Sequence, residues 1–377
     1  MNSTKNTRNE HKIAFLCSSA SFGGLEMNTI KTASWMYSEG NDIVVYGAEG
    51  APLTNFARDK GIPVFSIQRH KKYMPLRRAI ILYKHFKKEQ IDVIFIRDTR
   101  DIGIAALVKF FSGNRIKIIY HQAMQIGVNK KDLLHSLRFY FIDAWMSSTQ
   151  IMKENVMKHT RFPGHKIHVV PLGVEVKKLV ENQPATSDAR KYFSLNRNVK
   201  VMGIMGRLNP MKGQHFLIEC LEKIRNAGTN CHLLIIGEPT RNEGDEYKQR
   251  LLKMVKEKGL DKFVHFHGFL NEITWFLAAI DIFALASEKE TYGMVTVESL
   301  VYGVPVIASN SGGTPEILNY GKYGKLYEPR DHNDFINKFY ELDQQKEKTE
   351  HLEEVRILYS HTRQCELIEN IIKQICR

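Results

Sequence analysis

Short apolar runs alternate with longer amphipathic stretches along the whole chain. In the first half the runs are "KIAFLC" (12–17), "IVVY" (43–46), "PVFSI" (63–67), "DVIFI" (92–96), "IKIIY" (116–120), "AWMSS" (144–148) and "IHVV" (167–170). In the second half they are "KVMGIM" (200–205), "CHLLII" (231–236), "FVHFH" (263–267), "IFALA" (282–286) and "PVIAS" (305–309). Apolar strands spaced by helical stretches predict an α/β protein with parallel sheets covered on both faces. The pattern breaks once, where 171–198 turns polar and irregular before a new apolar strand begins. This predicts a first Rossmann-like domain at 1–170, a linker at 171–198 and a second such domain at 199–355. A helical segment at 356–377 follows and is placed to pack back on the first domain. A length of 377 residues suits two such cores. Two doubly wound domains facing each other would bind ligands in a cleft outside the carboxyl ends of their strands.

Composition narrows the class. Hydrophobic residues make up 43% and charged residues 25% of the chain, as in soluble globular proteins. No apolar run approaches the roughly 18 residues needed to span a bilayer. The polar leader Met1–Lys12 precedes only "IAFLC", too short for a signal-peptide core. The expected location is the cytoplasm. Five scattered cysteines (Cys17, Cys220, Cys231, Cys365, Cys376) form no C-x-x-C pair and read as reduced thiols.

Charge changes the picture more. The net charge is +13, and residues 1–170 hold 26 Lys+Arg against 13 Asp+Glu, so the first half carries the whole excess. Such a lopsided field points to an anionic partner: nucleic acid, a membrane surface or a phosphorylated substrate. The densest stretch, 69–88, has eight Lys/Arg, two His and no acid, with Leu76, Ile80, Tyr83 and Phe86 at helical spacing. It reads either as a basic amphipathic helix lying on an anionic membrane or as a surface helix packing its apolar stripe on the sheet.

Three loops carry candidate chemistry. In "SSASFGGLEMNTIKTA" (18–33), Gly23 and Gly24 follow the first strand and lead into a helix. They allow positive-φ geometry and close backbone approach to a phosphate at the helix start. In "MGRLNPMKG" (205–213), Arg207 and Lys212 place two cations at a strand's carboxyl end, which suits a diphosphate. In "ETYGMVTVE" (290–298), Glu290 lies beside a helix start near Gly293 and Glu298 lies further inside. The amides of Tyr292, Gly293, Met294 and Val295 fall among the first helical N–H groups, which lack internal partners and can receive an anion. Read singly, each charged residue has an ordinary structural alternative: a solvated cation, a dipole-stabilising acid, a helix-face glutamate.

Together these motifs resemble the retaining glycosyltransferases of the GT-B fold, in particular the family 4, group 1 type. "GRLNPMKG", "ETYGMVTVE", "YGVPVIAS" and "GGTPEIL" match that family's order and spacing over about 199–318. The first half fits more loosely through "FGGLE" (22–26), "YHQ" (120–122), "DAWMSST" (143–149) and "IHVVPLGVE" (167–175). The resemblance implies that Arg207 and Lys212 bind the donor diphosphate and stabilise the leaving group. It implies that Glu298 holds the ribose, and that Glu290 with the amides of Tyr292–Val295 contacts the donor sugar and phosphates. Gly23 and Gly24 would approach the phosphates from the other domain, and His121 would face the donor sugar.

The implied activity is hexosyl transfer, with retention, from a nucleoside-diphosphate sugar to a hydroxyl. UDP is favoured and GDP second. The acceptor would be a cell-surface polysaccharide, lipopolysaccharide or lipid-linked glycan at the cytoplasmic face of the inner membrane. No two aspartates stand two positions apart, so a D-x-D metal motif is missing and no metal or other cofactor is expected. Two alternatives come from other classes. One is a GT-B-fold nucleotide-sugar epimerase. The other, from charge alone, is a nucleic-acid-binding protein, for which the sequence has no recognition helix, zinc module or aromatic RNA platform.

Overall fold

The computed structural model describes residues 11–377 apart from 22, 69, 71–74, 182, 240–243 and 345–350. The chain divides into two compact units, one formed by 1–172 with His361–Arg377 and the other by Gly173–Ser360.

The first unit holds seven parallel strands: β1 Lys12–Cys17, β2 Asp42–Ala48, β3 Val64–Ile67, β4 Val93–Ile96, β5 Lys117–His121, β6 Ala144–Ser147 and β7 Ile167–Val169. Their order is β3-β2-β1-β4-β5-β6-β7. Apolar side chains on both faces of these strands are buried, as continuous apolar runs require. The terminal helix His361–Cys376 buries Cys365, Ile368, Ile371 and Ile372 in this unit. Its Gln364 Nε2 lies 3.3 Å from Thr32 Oγ1, and its Glu369 accepts from Asn41 Nδ2 at 3.0 Å.

The second unit holds six parallel strands: β8 Lys200–Met205, β9 Cys231–Ile236, β10 Val264–His267, β11 Ile282–Leu285, β12 Val306–Ser309 and β13 Lys325–Tyr327. Their order is β10-β9-β8-β11-β12-β13. In both sheets the chain starts centrally, builds to one side, then crosses back. The order therefore reverses between β1 and β4 and between β8 and β11. Loops leaving such a pair diverge and open a crevice at their carboxyl ends, where ligands bind in sheets of this kind.

Two expectations need correction. The stretch 171–198 is no linker. It forms the helices Val176–Glu181 and Thr186–Tyr192, both part of the second unit. Arg190 explains the misreading: it looks solvated in sequence but is buried, donating to Asp281 at 2.7 Å and to the carbonyls of Ala279 and Arg197. The basic stretch 69–88 likewise does not present one free apolar stripe. Arg69, Lys71, Lys72, Tyr73 and Met74 lie outside the described residues. In the helix Leu76–Glu89, Ala79, Leu82 and Phe86 are buried against the sheet and Tyr83 packs beside them. Leu76 and Ile80 point outward, so the four residues of the stripe divide between core and solvent.

No helix among the described residues is long and apolar enough to cross a membrane. Cys17, Cys220, Cys231 and Cys365 are buried free thiols, and Cys376 is a half-buried one.

Candidate functional site

In the second unit the loops leaving β8 and β11 bring the second and third motifs together. After β8 the chain makes a short turn, Pro210–Lys212, in which Asn209 Oδ1 accepts from the Met211 amide at 3.0 Å. Gly213 then adopts φ +74 and starts the helix Gln214–Asn226. A β-carbon at Gly213 would overlap the Ala286 carbonyl at the end of β11. Glycine is therefore what lets the Lys212 turn lie against the next loop.

That closeness sets the charge geometry. Lys212 Nζ lies 2.7 Å from Glu290 Oε2, which also accepts from Ser287 Oγ at 3.2 Å. Glu290 is largely buried and Lys212 half-exposed, so the cation keeps an open side. The Ser287 carbonyl is in turn held by the hydroxyls of Ser309 (2.6 Å) and Ser311 (3.1 Å). Arg207 sits exposed after β8, and its carbonyl accepts from Gln214 Nε2 at 2.9 Å.

The helix expected near Gly293 spans Met294–Tyr302, with Gly293 at φ +76 as its cap. The first helical N–H groups belong to Met294 and Val295 and begin next to Glu290. Tyr292 is buried, and Glu298 is half-buried in the second helical turn.

Three contributors at this site lie in the quoted motifs "ETYGMVTVE" and "GGTPEIL" but were given no role of their own from the sequence. Thr296 in the first helical turn and Thr314 after the glycine pair both have buried hydroxyls with no partner among the described residues. Gly312, at φ +58, packs directly under the Glu290 backbone, whose carbonyl accepts from the Gly313 amide at 3.0 Å. Contacts between loops so far apart in sequence leave no periodic signal.

In the first unit the loop after β1 uses only part of what its glycines permit. Gly23 is extended at φ −127, and neither Gly23 nor Gly24 has positive φ. The pair is exposed, and a β-carbon on Gly24 would meet nothing within 4 Å. These glycines therefore leave room rather than enable a strained turn. Glu26 fastens the loop, accepting from the Gly23 amide at 2.9 Å and from Ser19 Oγ at 2.5 Å. Burial pushes its carboxyl up, but those two donors, with its own amide and the Arg100 charge, hold it below its ordinary value.

Asp101, fully buried, accepts from Ser18 Oγ at 2.6 Å and lies 2.9 Å from His70 Nε2. His121 ends β5 and is fully buried. Its Nδ1 lies 3.2 Å from Arg97 Nη1, and its Nε2 has no partner among the described residues. Burial first, and the Arg97 charge second, push the imidazole well below its ordinary pKa.

Residues 186–355 match the family "Glycosyl transferases group 1", and residues 22–178 match "Glycosyltransferase Family 4". A GDP-mannose-dependent alpha-(1-6)-phosphatidylinositol monomannoside mannosyltransferase of Mycobacterium tuberculosis is 30% identical over 177 residues. That match covers 45% of this chain and 44% of the relative, so it spans less than half of that protein. The UDP-Gal:alpha-D-GlcNAc-diphosphoundecaprenol alpha-1,3-galactosyltransferase of Escherichia coli is 24% identical over 348 residues, covering 88% of each chain. Among solved structures, Anabaena Alr3699/HepE in complex with UDP superposes with a TM-score of 0.83 at 21% identity, covering 96% of this chain and 100% of that one. The two parallel-sheet units are those of the GT-B fold.

Proposed function

The chain belongs to the group 1, family 4 glycosyltransferases, and we propose that it moves a hexose from a nucleoside-diphosphate sugar to an acceptor hydroxyl with retention. One observation carries this reading. Lys212 and Glu290 meet at 2.7 Å beside a helix start, at the point where the sheet order reverses between β8 and β11. A leaving nucleoside diphosphate concentrates negative charge, and a fixed ammonium with helix-terminal amides answers it without a metal ion. Arg207 supplies a second cation and Glu298 takes the ribose hydroxyls; Thr296 in the first turn of that helix, and Thr314 after the glycine pair that packs on Glu290, have buried hydroxyls with no partner among the described residues. For the first unit, the resemblance gives His121 a sugar contact and Gly23 and Gly24 a phosphate contact.

UDP is the favoured nucleotide, supported by the UDP complex of the Anabaena protein and the UDP-Gal named for the E. coli relative. GDP comes second, supported by the mycobacterial relative. A thermal-shift panel of UDP, GDP, ADP and CMP tests this directly. A ligand at about 100 times its Kd adds about 2.7 kcal/mol of stability. UDP is expected to raise the midpoint of the wild type and to lose most of that effect in Lys212→Ala. A folded sample that responds to none of the four would overturn the donor reading. Turnover unchanged by EDTA is the expected outcome for the metal-free mechanism. Donor consumption without acceptor would favour an epimerase instead.

The acceptor is a lipid-linked or cell-surface glycan, reached from an anionic bilayer. The surface for that bilayer moves from 69–88 to 124–140. There Met124, Val128, Leu133, Leu134, Leu137 and Tyr140 are 52–82% exposed. Beside them a cavity of about 450 Å³ is lined by Lys109, Lys117, Arg161 and Lys166, with Asp143 the one carboxylate, already bound to Lys109 at 2.6 Å. Apolar side chains beside a cluster of four cations with a single carboxylate suit an anionic interface. Leu133→Asp with Leu137→Asp should abolish co-sedimentation with phosphatidylglycerol vesicles at low salt, while Ile81→Asp leaves it intact. Equal loss in both variants, or no binding by the wild type, would remove this surface.

A further inference from the structure

We propose that Arg97 is a positioning residue that fixes His121 as the Nε2–H tautomer, so that one N–H donor is held ready for the donor sugar. The inference rests on the reading above that His121 contacts that sugar, and it adds a residue the sequence motifs do not mark.

Placement comes first. Arg97 directly follows β4, on the side of β1 where the sheet order reverses. The parallel register pairs Ile96 with Tyr120, which brings Arg97 level with His121 on the neighbouring strand. The two side chains are 2% and 0% exposed, and Arg97 Nη1 stands 3.2 Å from His121 Nδ1. A guanidinium has donors only, so the ring nitrogen facing it must supply the lone pair. The imidazole proton then sits on Nε2, the atom with no partner among the described residues.

The pair is hard to explain as packing alone. A buried guanidinium ordinarily has a carboxylate partner, because an unpaired charge is costly to bury. The nearby carboxylates are engaged elsewhere: Asp98 with Arg100 at 3.1 Å, and Asp101 with Ser18 and His70. Arg97 Nε is also without a partner among the described residues.

The charge has a second consequence. Burial lowers Arg97 to about 10, so it stays cationic at neutral pH, and its charge adds to burial in keeping the imidazole neutral. The other titratable groups around the pair are Cys17, pushed up to about 12 by burial, and Tyr120, also raised by burial. Both are neutral in the working range. His121 is thus an N–H donor rather than a proton carrier.

The direct test is histidine nitrogen NMR on the full-length protein. The expected spectrum shows His121 unprotonated at Nδ1 and protonated at Nε2, unchanged between about pH 7 and pH 8. A proton on Nδ1, or titration inside that window, would overturn the proposal without a variant having to fold. Kinetics gives the second reading. Arg97→Met should lower kcat about 10- to 100-fold at unchanged nucleotide affinity. It should also move any acidic limb upward in pH, by the smaller of the two contributions, since burial of the imidazole remains. Arg97→Lys, which keeps a charge and a donor, should keep the flat profile. A purely structural Arg97 would change the folded fraction in Arg97→Met but leave kcat per folded molecule and its pH profile unmoved, which would refute the positioning role. His121→Ala separates the two layers: unchanged transfer would overturn the sugar contact, whereas the NMR result alone decides the tautomer.

Discussion

Replacing Lys212 by alanine is expected to lower turnover about 10²- to 10³-fold, the range seen when a preorganised charge or donor is removed from a developing anion. The structure sharpens this beyond what a surface lysine would predict. Its ammonium is held at 2.7 Å by Glu290, and Glu290 is steadied by Ser287, whose carbonyl two further serines grip. The cation is therefore positioned before donor arrives and needs little rearrangement at the moment of reaction. Its loss also leaves Glu290 largely buried with one hydroxyl donor, at a cost of about 1–3 kcal/mol. Folding must be checked alongside turnover, and the double variant Lys212→Ala with Glu290→Gln separates the effects. Removing the stranded carboxylate should recover stability but not activity. A folded Lys212→Ala enzyme with near-normal kcat would show that the leaving group is stabilised elsewhere.

What could be read from the sequence follows from how local each signal is. Strands such as Lys200–Met205 and Cys231–Ile236 were legible to the residue, because buried parallel strands are written as unbroken apolar runs. β13, Lys325–Tyr327, was missed: three residues beginning with a lysine at the sheet's edge give no run to detect. The second unit's loops were recognisable because phosphate chemistry demands particular residues at a strand end. The roles assigned to Arg207, Lys212, Glu290 and Glu298 still came from resemblance rather than from spacing.

The buried charges that the sequence left unmarked share one cause. Arg190, His70 and Arg97 look like solvated surface charges in a linear reading, yet tertiary structure buries all three. Burial of a charge is a property of partners brought from far along the chain, so no local pattern announces it. The glycine pair Gly23–Gly24 shows a different limit: adjacent glycines permit positive φ without requiring it, and here neither adopts it.

Gly312 is the clearest case of a non-local requirement, and Gly312→Ala is expected to damage both stability and activity. Its φ of +58 is a conformation that side chains resist, which by itself costs about 1–2 kcal/mol. The larger effect is steric. A β-carbon there would fall on the carbonyl of Glu290 and crowd that residue's carbonyl carbon and amide nitrogen as well. Backbone cannot swing aside as a flexible side chain can, so the loop bearing Glu290 must shift. That shift would strain the Gly313–Glu290 hydrogen bond and draw the carboxylate away from Lys212. Displacements of about 1 Å near reacting groups cost about 10²-fold in rate, and a fall of that size in kcat/KM is expected. Gly61→Ala is the matched control: its φ is +70, but a β-carbon there meets nothing within 4 Å. It should show the conformational cost alone, with turnover unchanged. If the two variants lose equal stability and Gly312→Ala keeps its activity, Gly312 is merely a turn residue and the Glu290 loop is set by something else. If Gly312→Ala loses activity well beyond the control, the glycine loop is part of what holds the carboxylate against Lys212.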